Sequence, residues 1–262
     1  WIAPDKKVDL PKMEACMRDH YEGTPLSLDK DIAQGIWDSP YRPTPLKFEV
    51  DGKQYFNERP ISTQQTGFSY IAQLRSWLPR EIGGILWFGN DDGNMVAYVP
   101  IYCSNTERAE CFNTPGADAV TFSDKNAFWV CNWVSNMVYP RYSQLFPALK
   151  EVRDSLDNAF LAAQKGVEAK AEALYATDKA AAVKYLNDYS IQKSNEMIAR
   201  WRELAIHLIV KFNDMTIKPE KDGKFLRTST GLGERVKRTG YSDYFKRELV
   251  KQTGDKFAVP NK

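Results

Sequence analysis

The chain has 262 residues, 43% of them hydrophobic, which is long enough to bury a sizeable core. Lysine and arginine number 36 against 34 aspartates and glutamates, so the sequence carries no electrostatic footprint for nucleic acid. No apolar run approaches the ~20 residues that span a bilayer, and the cysteines at 16, 103, 111 and 131 include no CxxC pair, which argues against a zinc site.

Residues 8–21 read as a short helix: Pro11 suits a first turn, and Met13, Cys16 and Met17 recur at helical spacing. That spacing predicts a buried, inert Cys16 thiol. A loop from Glu22 to Pro45, rich in Pro, Gly, Ser and Asp, follows. Strand signals come next. Lys47–Val50 and Gln54–Phe56 flank Asp51-Gly52, a hairpin turn pair. From Gly67 to Arg75 the residues alternate, with Phe68, Tyr70, Ala72 and Leu74 on one face and Ser69, Ile71 and Gln73 on the other. Gly84–Phe88 and Val96–Cys103 show little polar alternation, so both faces of these strands are expected to be covered. The joint between them, Gly89 to Asn94, reads as a hairpin loop, and turn chemistry accounts for Asp91 and Asp92. A Cys103–Cys111 disulfide stays open.

The period then changes. Lys125–Tyr139 reads as a buried helix, and Tyr142 to about Gly166 as a second, with Leu145, Leu149, Val152, Leu156 and Phe160 in line. Thr177 or Asp178 is placed to cap a third, and Ser194–Phe212 forms a fourth, in which His207 reads as a hydrogen-bonded core histidine. The tail from Lys218 is irregular and closes with a short helix near Tyr241–Thr253. Lys224, Arg227, Arg235, Lys237 and Arg238 in that tail read as a solvated surface. Strands followed by helices make the class α+β, with helices packed on an antiparallel sheet. The expected division is 1–141 as core, 142–217 as a helical extension and 218–262 as a tail.

Five ordered stretches carry a family resemblance. They are Met17-Arg18-Asp19-His20-Tyr21-Glu22-Gly23-Thr24-Pro25, Ser39-Pro40-Tyr41-Arg42, the run Ile71 to Pro79, Gly83 to Gly89 running on through Tyr98-Val99-Pro100-Ile101-Tyr102, and Ala127-Phe128-Trp129-Val130 with Val134-Ser135-Asn136. Together they resemble the dipeptidase D family of cysteine dipeptidases, which is similar to bile-salt hydrolases and one type of penicillin acylase. The resemblance implies part of a four-layer αββα fold of the N-terminal-nucleophile class, with the helical block as an addition. It also implies a dipeptide substrate and neither a metal nor an organic cofactor. No membrane or nucleic-acid partner is expected, and a homo-oligomer is compatible with it.

In such enzymes an N-terminal cysteine attacks the peptide carbonyl with its own α-amine as base. Trp1 cannot fill that role, and none of the four cysteines is N-terminal. The nucleophile is therefore expected upstream of Trp1, on the N-terminal part of the same precursor, and this segment alone is expected to be inactive. The absence of an initiator Met agrees with that expectation. Localisation is open between periplasmic or secreted and cytoplasmic.

Candidates for substrate contact remain within the segment. Gln65 and Thr66 lie where relatives often place an arginine–threonine pair; Gln65 stands at the arginine position and can donate a hydrogen bond without the charge. Ordinary strand-edge satisfaction is the alternative for both. Arg18 suits a carboxylate, Glu22 an α-ammonium, and His20 lies between them; an internal salt-bridged cluster pinning the following loop is the alternative. His20 lacks the companions of a metal ligand. Rival readings are a non-catalytic binding or assembly module on the same fold, and an amidase acting on a non-peptide amide.

Overall fold

A computed structural model describes residues 2–231, 233–234 and 236–260. Trp1 and Arg235, both singled out above, lie outside the described residues. The first helix, α1 (Leu10–Met17), starts where Asp9 accepts a hydrogen bond from Lys12 N at 2.9 Å, with Pro11 in its first turn. Its Cys16 is half-buried rather than buried. The loop after it contains a 3-10 turn at residues 32–37.

The hairpin of β1 (Leu46–Val50) and β2 (Lys53–Asn57) turns through Asp51 and Gly52, both at positive φ (51° and 73°), as a tight primed turn requires. The main sheet is antiparallel, in the order β3 (Phe68–Leu74), β4 (Gly84–Asn90), β5 (Val99–Tyr102), with α2 (Arg80–Gly83) between the first two. Its register pairs Ile71 with Trp87 and Trp87 with Pro100 on one face, and Tyr70 with Phe88 and Leu86 with Ile101 on the other.

Three helices cover the first face: α3 (Ala127–Val138), α4 (Tyr142–Tyr175) and α5 (Lys179–Phe212). Asn126 and Asp178 cap α3 and α5 by accepting from Trp129 N and Ala181 N. The single helix α5 replaces the two expected over its span, because no Gly or Pro interrupts it and Leu186, Ser190, Ser194, Met197 and Trp201 form one buried stripe. Ile85, Trp87, Val99, Val130, Leu149, Phe160 and Trp201 belong to one continuous core. α4 and α5 thus share with α3 the layer that buries the sheet. The outer edge of β5 is also closed by α5, where Ser190 Oγ accepts from Tyr102 N at 3.2 Å.

The second face differs from expectation. Phe68, Tyr70 and Leu74 are 59%, 52% and 75% exposed, and Leu86, Phe88 and Ile101 are half-buried. The strands are covered on one face only. Their near-continuous apolar pattern reflects two apolar faces of which a single one meets a helical layer here.

The remaining chain forms short two-residue pairings, β6 (Thr216–Ile217) with β9 (Lys237–Arg238) and β7 (Glu220–Lys221) with β8 (Lys224–Phe225), and then α6 (Asp243–Thr253), capped by Ser242. Lys224, Lys237 and Arg238 are exposed, and Arg227 is too. His207 is not a core histidine: its side chain is 35% exposed, stacks on Phe225, and sets Nδ1 3.4 Å from Glu220 Oε1. All four cysteines are free, so Cys103 and Cys111 are not bridged. Among the described residues no helix is long and apolar enough to cross a membrane.

Candidate functional site

The polar centre of the molecule is the turn that leaves β4, Asp91 to Val96. Both aspartates are fully buried. Asp91 takes φ +75°, and its N–H donates to Gly67 O at 2.8 Å. Its carboxylate accepts from Ser135 Oγ at 2.6 Å and from Asn132 Nδ2 at 3.2 Å, both on α3. Asp92 caps the 3-10 turn at 93–95 and accepts from Tyr41 (2.5 Å), Tyr139 (3.3 Å) and Ser62. Asn94 Nδ2 donates to Tyr41 and Tyr142, while Arg153 Nη1 donates to Asn94 O and Oδ1 at 2.7 and 2.8 Å. Turn chemistry alone does not account for these aspartates: Asp91 ties the turn to α3 and Asp92 to Tyr139 and the loops at 41 and 62, while Asn94 ties it to α4.

Burial sets the proton affinities here. The Asp91 carboxyl is pushed up to about 7 by desolvation, against the hydrogen bonds from Ser135 and Asn132. Tyr41 and Tyr139 are raised by burial and by the Asp92 charge. On α1, burial and then Asp157 push Glu14 up to about 7.

Gly93 shows why the turn must pass where it does. A Cβ at this position would lie 2.8 Å from Tyr98 Oη and 3.0 Å from Met17 O, so glycine lets the end of α1 and the Tyr98 ring close over the turn. Above it opens a cleft of about 430 Å³ lined by Met17, Ile61, Thr66, Phe68, Ser69 and Tyr70 with Gly93 at its base. Apolar walls with a few polar groups are the usual makeup of a small-molecule site.

The five sequence candidates separate into four places. Thr66 lines this cleft. Arg18 lies beneath it: Nε donates to Gly93 O (3.0 Å), and Nη2 donates to Val96 O (3.1 Å) and Asp157 Oδ2 (2.7 Å). Its donors are therefore spent on the internal cluster, with Glu14 at 3.6 Å. His20 and Glu22 form a local clasp. Glu22 accepts from His20 N at 2.8 Å, and His20 Nδ1 lies 3.1 Å from the other carboxylate oxygen. Burial alone would raise the Glu22 carboxyl, but those bonds outweigh it and hold it down at about 2. His20 is fully buried, edge-on to Tyr41 at 4.6 Å. Gln65 points away from Thr66, donating to Pro43 O at 2.9 Å and accepting from Thr63 Oγ1 at 2.8 Å.

Sequence reasoning missed Asp91, Asp92, Ser62, Asn94 and Arg153. Asn90 to Asn94 has the composition of an exposed turn, and only the depth of its two flanking strands hints that it is buried.

An antiparallel sheet with one face under helices, the other open, and a cleft over a rigid polar turn is compatible with a peptidase fold. The sequence pattern of Peptidase family C69 matches residues 1–155, and the chain belongs to that family. It is 22% identical over 205 residues to a protein from Streptococcus pyogenes serotype M1 named probable dipeptidase B. The match covers 78% of this chain and 39% of that relative, so the chain spans well under half the length of the curated relative it matches.

Proposed function

We propose that this chain is the sheet-and-helix part of a cysteine-type dipeptidase whose nucleophile, an N-terminal cysteine, is carried on a segment preceding Trp1. The observation that carries the reading is the open face of the β3–β4–β5 sheet beside the Thr66 cleft. Phe68, Tyr70 and Leu74 form an apolar surface of the kind that packs against a second layer. The family match and the relative named a dipeptidase support the activity, and the share of that relative left unmatched gives room for such a segment. Packing a second sheet on this face would complete the four-layer αββα arrangement.

The chain's own cysteines suit the role poorly. Cys111 is buried, with its thiol pushed up to about 11 by desolvation, and Cys131 is fully buried, which raises its thiol well above the usual value. Cys103 opens at the other end of the sheet, near Gly84. In the proposed reaction the upstream α-amine, which titrates near ~7.7–8, takes the thiol proton. The thiolate adds to the peptide carbonyl, and the tetrahedral adduct expels the amine of the second residue, which takes up that proton. Water then adds to the thioester, giving the free acid and restoring the thiol.

The test compares this chain with the longer protein. The longer protein is expected to cleave dipeptides and to react with a thiol-directed probe at its first cysteine, while the 262-residue chain does neither. Cys-dependent cleavage by the chain alone, or a longer protein without such a cysteine, would overturn the proposal.

A further inference from the structure

The β1–β2 hairpin stands apart from the helical core. It is a two-stranded sheet with no neighbour on either outer edge among the described residues. Leu46, Phe48 and Val50 share a face with Tyr55, and all but Leu46 are exposed. Phe48 stacks on Tyr55 with ring centroids 5.2 Å apart, and Lys53 Nζ lies 5.5 Å from the centre of the Tyr55 ring. The other face carries Lys47 opposite Phe56, and Glu49 opposite Gln54, which donates to it. An isolated two-stranded hairpin is marginal in water, and a free strand edge is a template for another strand.

The register decides which strand fits. Val50 and Lys53 flank the two-residue turn and bond to each other, so Phe48 and Leu46 also bond inward, to Tyr55 and Asn57. The N–H and C=O groups of Lys47 and Glu49 therefore point out of the free edge. A second copy of β1, laid antiparallel across a two-fold axis, can reach them in registers that differ in charge. Setting Lys47 against the partner's Lys47, or Glu49 against the partner's Glu49, opposes like charges. Setting Phe48 against the partner's Phe48 places each Lys47 against a Glu49, and their outward groups can then exchange both N–H···O bonds. The same register aligns Leu46 with the partner's Val50 on the apolar face. Pro45 has no N–H to offer, which ends the pairing just before β1. β2 gives no such match, since centring on Tyr55 sets Lys53 against Asn57 and Gln54 against Phe56. We infer that β1 is a dimer edge: two copies of this protein join their hairpins through antiparallel β1 strands, with Phe48 at the two-fold axis. The contact uses neither the open face of the β3–β4–β5 sheet nor the Thr66 cleft, so it is independent of the dipeptidase reading.

Cysteine cross-linking reads the register. Across an antiparallel pair that exchanges no hydrogen bonds the Cα atoms lie about 4.5 Å apart, within the span of a disulfide. Each Val50, by contrast, lies ~13 Å from its counterpart, four residues along the partner strand. In a Cys103→Ser background, which removes the exposed thiol, Phe48→Cys is expected to give a disulfide-linked dimer under mild oxidation and Val50→Cys to stay monomeric. The charges give a second readout that needs no cysteine. Sedimentation velocity of the unaltered protein is expected to show a dimer that grows with concentration. Lys47→Glu alone and Glu49→Lys alone should each weaken it about ten-fold or more. An equimolar mixture of the two variants should restore it, because every acid then faces a lysine. Both measurements are made on the 262-residue chain and on the longer protein. Equal cross-linking at 48 and 50, a dimer indifferent to the charge reversals, or a monomer throughout overturns the inference. So does a dimer of the chain that is lost in the longer protein, because the upstream segment then occupies the hairpin.

Discussion

Replacing Asp91 with asparagine should flatten the dependence of stability on pH. The native carboxyl sits near about 7 and its ordinary value is 3.8, because burial penalises the charged form more than Ser135 and Asn132 offset it. Between those values the folded state keeps a proton that the unfolded chain has released. Stability from this group is therefore full below the lower value and is lost as pH rises through the upper one. Going from about pH 5 to pH 8, ionising Asp91 should cost the fold about 2–3 kcal/mol, at ~1.36 kcal/mol for each tenfold change. For a chain of this size that is about 5–10 °C in Tm. The substituted amide cannot titrate, and its carbonyl oxygen keeps an acceptor facing Ser135. The measurement is thermal unfolding followed by circular dichroism across that range, for both proteins. Glu14 titrates in the same window and with the same sign, so the informative quantity is the difference between the proteins. That difference should be small at the acidic end and grow in favour of the variant toward alkaline pH. A difference that is constant with pH would refute the argument from burial.

Two further outcomes follow from the same region. Gly93→Ala sets a Cβ 2.8 Å from Tyr98 Oη and 3.0 Å from Met17 O, and should lower stability by about 1–3 kcal/mol in urea unfolding; a neutral result would show that the turn is looser than described. Glu22→Gln should matter only modestly, by under ~1 kcal/mol, since the Glu22 side chain is 51% exposed and its pairing is screened. The Glu22 carboxyl is held at about 2, so the stability it supplies is present above its ordinary 4.5 and disappears as pH falls through about 2. Wild type and variant should therefore converge in acid, and a gap that widens there would contradict the clasp with His20.

Much of the fold was legible because it rests on local rules. The Asp51-Gly52 turn, the cap at Asp178 and the helical spacing through Leu145, Leu149 and Leu156 all depend on residues a few positions apart. The alternation in Phe68 to Leu74 correctly sorted its side chains into two faces. The family, too, was carried by contiguous runs such as Arg18 to Pro25.

What the chain's order of residues could not decide is which surfaces meet. Period two divides a strand into two faces but does not say which one the helices cover, and here the more apolar face of β3 is the open one. Nor could it place Asp91 or Asp92. Their partners lie 41 residues away at Asn132 and 30 at Ser62, and a carboxylate's proton affinity depends on that company. Tertiary packing removes water from these groups, and the loss of water turned an ordinary turn sequence into the polar centre of the site.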